Sequence, residues 1–134
     1  MKNKKATQFV INVSTAIFKD DQVLLVKRGQ DEDTFPGFWV IPGGKIELKD
    51  KTITSGLARE VLEETNIRIK NHFLVSSEVN QKKAKIYLRF RSYYLSGNPK
   101  PLDKTVEVRW FSLNKLPSKI VPQTKVFLNE FRKS

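Results

Sequence analysis

Cysteine is absent from the 134 residues, and histidine occurs once, at His72. Those two lacks exclude a disulfide scaffold, thiolate chemistry and zinc-finger ligation, and leave no pattern for a His-dependent nucleophilic triad. No long apolar run exists either. Polar residues interrupt Phe9 to Phe18, so neither a membrane span nor a secretory leader is expected, and no membrane is among the expected partners. Acids are the minority charge, with 14 Asp+Glu against 25 Lys+Arg and a net charge of +11. A field of that sign attracts nucleotides, polyphosphates or nucleic acid without choosing among them.

What is present suffices for one core. A 39% hydrophobic share in a chain of this length predicts a single domain over 1–134, with the Lys-rich residues 1–7 a flexible lead-in and the cytoplasm the expected location. Val, Ile, Thr and Phe enrichment predicts strands over Phe9–Phe18 and Val23–Val26, joined by a hairpin at Lys19–Gln22. A short apolar run, Phe38–Ile41, stops at Pro42-Gly43-Gly44, which reads as a tight turn. Leu57, Ala58, Val61 and Leu62 recur at helical spacing, so a helix is predicted over Thr52–Thr65, capped by Thr52 or Thr54 and ended by Asn66. Strands are predicted over Phe73–Val79, Ala84–Leu95 and Val106–Phe111. A C-terminal helix carries Val126, Phe127 and Phe131.

Carboxylates are the one rich set of catalytic groups. Glu60, Glu63 and Glu64 fall three and four residues apart, on one face of the predicted helix, while Val61 and Leu62 turn toward the core. A solvated face is the ordinary explanation of such a cluster. Gly43-Gly44 just before the helix argues for more, because glycine lets backbone approach a ligand closely. Clustered like charges call for a cation, and all-oxygen donors favour Mg²⁺ or Mn²⁺ over zinc. His72 has no partner pattern and is assigned no role. Arg89, Arg91, Tyr93 and Tyr94 read as a solvated sheet face.

The stretch from Gly44 through Arg59-Glu60-Val61-Leu62-Glu63-Glu64-Thr65-Asn66-Ile67 resembles the signature of the Nudix hydrolase family. Trp39-Val40-Ile41-Pro42-Gly43-Gly44-Lys45-Ile46-Glu47 is similar to the family's lead-in, and Val108-Arg109-Trp110-Phe111-Ser112-Leu113 to its late strand. The chain departs from the signature in three places. Asp50 stands where the first glutamate belongs, eight residues rather than seven separate it from Arg59, and Asn66 replaces the closing glycine. The extra residue displaces Asp50, and Glu47 is the candidate substitute.

The resemblance implies an α/β/α sandwich around a mixed β-sheet, in a monomer or homodimer. It implies hydrolysis of a nucleoside diphosphate derivative, a nucleoside triphosphate or nucleotide sugar, by water attack on phosphorus. Glu60, Glu63 and Glu64 would ligate Mg²⁺ or Mn²⁺ with the Gly43 carbonyl, and Arg59 would orient the carboxylates. A general base would come from Glu107, Asp103 or a helix glutamate. Arg28 would contact phosphate, and Gly44 and Phe38 substrate. Phe35, Phe38 and Trp39 divide between base stacking and core packing, with packing favoured. The alternative is an RNA-end, decapping-type hydrolase or a non-catalytic nucleic-acid-binding module.

Overall fold

The computed structural model describes residues 8–132, so the expected flexible lead-in lies outside the described residues. Seven strands and two helices follow in the order β1 (Val10–Lys19), β2 (Gln22–Lys27), β3 (Trp39–Val40), β4 (Gly43–Lys45), α1 (Ile53–Thr65), β5 (Arg68–Asn80), β6 (Lys85–Ser96), β7 (Glu107–Ser112) and α2 (Pro122–Asn129). A single turn of 3₁₀ helix, Glu130–Arg132, ends the chain's described part.

The sheet is mixed: β1 runs parallel to β6, the other pairings between these strands are antiparallel, and Trp39 adds an isolated parallel bridge to Ile120. After the tight turn at Asp20-Asp21, β1 and β2 stay paired only at Phe18–Val23 and Lys19–Gln22 and then splay apart. The opening is filled by β3, which pairs with β2, and β4, which pairs with β1. Pro42-Gly43-Gly44 is therefore not a tight turn but leads into a short strand. Gly43 pairs with Ser14, and a Cβ at Gly43 would collide with the Val13 carbonyl, so only glycine lets this backbone lie so close to β1.

Alternate residues of the central strands feed two cores. Val13, Ile17 and Leu24 pack against Leu57 and Val61 of α1, with Ile67 and Phe90. Ala16, Val23 and Leu25 pack on the opposite face against Phe127 and Leu128 of α2, with Trp39 and Ile41. Burial on both faces explains why β1 and β2 read as nearly continuous apolar runs. The result is the α/β/α sandwich that the resemblance implies. Helix α1 begins at Thr52, whose Oγ1 accepts from the Ser55 N–H at 3.0 Å while the Ser55 Oγ accepts from the Thr52 N–H at 3.1 Å. It ends at Asn66, in the left-handed region at φ 64°, with its N–H on the Leu62 carbonyl.

Two further sequence readings need correction. Strand β5 starts at Arg68, five residues earlier than Phe73, because irregularities at Arg68/Ile69 and between Lys70 and Phe73 break the alternation that would have revealed it. Arg89, Arg91, Tyr93 and Tyr94 are half-buried rather than a solvated face: the Arg91 guanidinium lies 5.0 Å over Phe73, and Tyr94 packs edge-on to Trp110. His72, assigned no role from the sequence, has its Nδ1 2.9 Å from the Ser92 Oγ, which in turn meets the Thr15 Oγ1 at 2.7 Å.

Candidate active site

The splayed sheet sets the Gly43–Lys45 strand directly against α1. The Gly43 N–H donates to the Glu64 Oε1 at 2.9 Å. Gly44 faces Glu60 so closely that a Cβ there would fall on its carboxylate. Helical spacing of four puts Glu60 and Glu64 on the same side, so two acids line one glycine strand.

Both acids are held at a disadvantage when ionised. Burial pushes the Glu64 carboxyl up to about 8, against the opposing Gly43 hydrogen bond, with the charges of Glu60, Asp103 and Glu63 adding to the rise. Burial likewise raises Glu60, against the pull of Arg59.

Arg59 organises the remaining acids. Its Nε and Nη2 donate to the Asp50 Oδ1 and Oδ2 at 2.8 and 2.9 Å, a bidentate pair. Its Nη1 reaches Glu63 at 2.6 Å and Glu47 at 3.1 Å, and Nη2 reaches Glu60 at 3.1 Å and the Lys45 carbonyl at 3.1 Å. The Asp50 side chain is only 5% exposed, and the Arg59 guanidinium holds it far down, at about 2, helped by the Glu47 N–H. The extra residue before α1 thus leaves Asp50 gripping Arg59, while Glu47 touches the same guanidinium from the exposed side. Gly56 permits this: a Cβ there would press on Ile46 and the Asp50 carboxylate.

The three helix glutamates are consequently divided. Glu60 and Glu64 turn to the glycine strand, whereas Glu63 is taken by Arg59 and stands half-exposed. Among the described residues no three acidic, histidine or cysteine side chains are gathered at ligand spacing. The donor set nevertheless fits a hard divalent cation. Glu60 and Glu64 are partly buried carboxylates: Arg59 meets Glu60 from one side, and Glu64, with only the Gly43 N–H as its hydrogen-bond partner, lacks a positive charge to offset its burial.

A cleft of about 70 Å³ opens beside Glu64, lined in part by Lys27, Arg28, Glu32 and Lys104. Arg28 is braced there, its Nε on the Thr34 carbonyl at 2.9 Å and its Nη2 on Glu32 at 3.1 Å. Lys104 escaped the sequence reading, since it lies in a loop without pattern. That loop is tied to the end of α1 by the Leu102 N–H on the Glu64 carbonyl and the Lys100 N–H on the Thr65 carbonyl. Of the two later acids, Asp103 is the one whose charge acts on Glu64, while the Glu107 carboxylate is bound by Arg109. Trp39 belongs to the core at 7% exposure, Phe38 is half-buried, and Phe35 is exposed. A larger groove of about 340 Å³, between β5, β6 and α2, contains none of these residues.

A mixed-sheet sandwich whose glycine strand faces an Arg-Glu-x-x-Glu-Glu helix defines a class, and comparison with known proteins names it. Residues 8–131 match the NUDIX domain, and the chain belongs to that family. It is 32% identical over 102 residues to a MutT-like protein of Streptomyces ambofaciens, covering 76% of this chain and 63% of that one. It is 30% identical over 116 residues to the NAD-capped RNA hydrolase NudC of Shigella dysenteriae, covering 84% of this chain and 42% of the relative. The chain thus spans less than two thirds of either relative. Among solved structures, a NUDIX hydrolase from Nitrosomonas europaea superposes with a TM-score of 0.83 at 26% identity, over 96% of this chain and 74% of that one. No helix among the described residues is long and apolar enough to cross a membrane.

Proposed function

We propose that the chain is a divalent-cation-dependent pyrophosphohydrolase that cleaves the diphosphate linkage of a nucleoside diphosphate derivative, a nucleoside triphosphate or nucleotide sugar, by water attack on phosphorus. The observation that carries this reading is the Gly43 N–H on the partly buried Glu64 carboxylate, beside Glu60 and in the lining of a cleft edged with Arg28 and Lys104. Glu60 and Glu64 would hold Mg²⁺ or Mn²⁺ with the Gly43 carbonyl, and Glu63 would complete the set on turning from Arg59 toward the ion. Bound there, the ion neutralises developing charge and lowers the pKa of a water. Arg59, locked by Asp50, positions Glu60 and Glu63. Arg28 and Lys104 supply positive charge for phosphate oxygens, and Asp103 or Glu107 is the candidate base.

RNA ends are the second reading, supported by the Shigella relative's printed activity and by the net charge of +11. A panel of nucleoside triphosphates, nucleotide sugars and capped RNAs in Mg²⁺, with products identified, separates the two. Hydrolysis of small nucleotides that Glu64→Gln abolishes supports the first. Hydrolysis confined to RNA ends supports the second, and salt-sensitive RNA binding without turnover contradicts both hydrolase readings in favour of a binding module.

A further inference from the structure

The loop between β2 and β3 presents an aromatic ring in a conformation that the chain disfavours. Phe35 has φ 46°, in the left-handed region, where a bulky residue is a rare outlier. It also precedes Pro36, and residues before proline favour extended backbone instead. The conformation is enforced by its surroundings. The Phe38 N–H returns to the Phe35 carbonyl at 3.1 Å across Pro36 and Gly37, with Gly37 at φ 75°, as a type II turn requires. On the other side, Thr34 is held by Arg28 through its carbonyl at 2.9 Å and its hydroxyl at 3.2 Å.

Strain of this kind persists where the surroundings over-determine it, commonly at ligand-contacting positions. Here the strained residue is not drawn into the core in return, for Phe35 remains 44% exposed. Its one aromatic neighbour is Phe38, at 5.4 Å between centroids and tilted by 53°, which leaves a broad face of the ring open. The loop that holds it is pinned to Arg28, and Arg28 lines the same cleft as Glu64 and Lys104. The charged lining of that cleft, Lys27, Arg28 and Lys104, suits phosphate oxygens, and Phe35 is not part of the lining.

Building on the nucleotide reading above, we propose that Phe35 is a substrate-specificity residue, an exposed platform on which the nucleobase stacks while phosphates enter the Arg28–Lys104 cleft. Stacking on a phenyl face tolerates any base, so this residue selects nucleotides over bare polyphosphates rather than one base over another.

Titration calorimetry in Mg²⁺ with the methylene-bridged analogue of ATP and with inorganic tripolyphosphate tests this. Phe35→Asn is the informative variant, because asparagine tolerates positive φ and keeps the loop while deleting the ring. It is expected to weaken the nucleotide analogue about tenfold and leave tripolyphosphate unchanged, with Phe35→Trp restoring affinity. Equal weakening of both ligands, or no loss on the nucleotide, overturns the stacking role and leaves the hydrolase reading standing. A wild-type protein that binds tripolyphosphate but not the nucleotide overturns it too. Failure of the wild type to bind either ligand overturns the nucleotide reading itself, and the stacking role with it.

Discussion

Asp50 and Arg59 form a two-pronged pair, Nε to Oδ1 at 2.8 Å and Nη2 to Oδ2 at 2.9 Å, across the loop that leads into α1. The pair fixes the guanidinium from which Glu63 and Glu60 take their positions. Asp50→Asn keeps the shape but breaks the charge. It is expected to lower kcat about 10- to 100-fold, as loss of a group that orients metal ligands does, whereas Glu47→Gln, on the exposed side, changes it about twofold or less. Steady-state kinetics on both variants checks this.

Gly44 offers a steric test of the glycine strand. A methyl group in Gly44→Ala would displace the Glu60 carboxylate, the end of a flexible side chain, rather than backbone. The expected result is a Mg²⁺ requirement raised about tenfold, through a disturbed ligand, with a melting temperature close to that of the wild type. Activity measured against Mg²⁺ concentration, beside thermal unfolding, separates the two effects.

The pH dependence of stability follows from Glu64. Its carboxyl is raised from 4.5 to about 8 by burial, so between those values the folded protein holds a proton that the unfolded chain has released. Without a divalent cation, this contribution is fully present below about 4.5 and is lost as pH rises through about 8, with Glu60 acting in the same direction. Asp50 behaves oppositely: lowered from 3.8 to about 2, its contribution is present above 3.8 and lost as pH falls through about 2. Melting temperatures from pH 4 to 9 in a chelator are expected to decline on the alkaline side, and less so in Glu64→Gln.

Asn66 occupies the place of the signature's closing glycine at φ 64°, and its Nδ2 also donates to the Asn98 carbonyl at 3.1 Å. Asn66→Gly relaxes the backbone but loses that bond, so stability is expected to change by less than about 1 kcal/mol. Asn66→Val has no such compensation and is expected to lose about 1–2 kcal/mol in denaturant unfolding.

Local rules made α1 legible almost to the residue, since both its cap at Thr52 and its left-handed end at Asn66 are written in side chains that act on their own backbone. The two central strands were equally plain from their apolar runs. Gly43-Gly44 misled, because a pair of glycines after proline looks the same as a turn or as a strand wedged into a sheet; only the splaying of β1 from β2, a tertiary event, decides it. Spacing placed Glu60, Glu63 and Glu64 on one face but did not show that Arg59 draws Glu63 away from the glycine strand. The same limit applied to Phe35, Phe38 and Trp39, alike in sequence and separated by burial.

The central claim is that Glu64 and Glu60 hold a divalent cation against the glycine strand. Titration of the protein into Mn²⁺, followed by the electron paramagnetic resonance of the free ion, reads it directly. The wild type is expected to deplete the free-ion signal saturably, with Glu64→Gln at least tenfold weaker and still folded. Equal depletion by both proteins, or none by the wild type, would contradict the account.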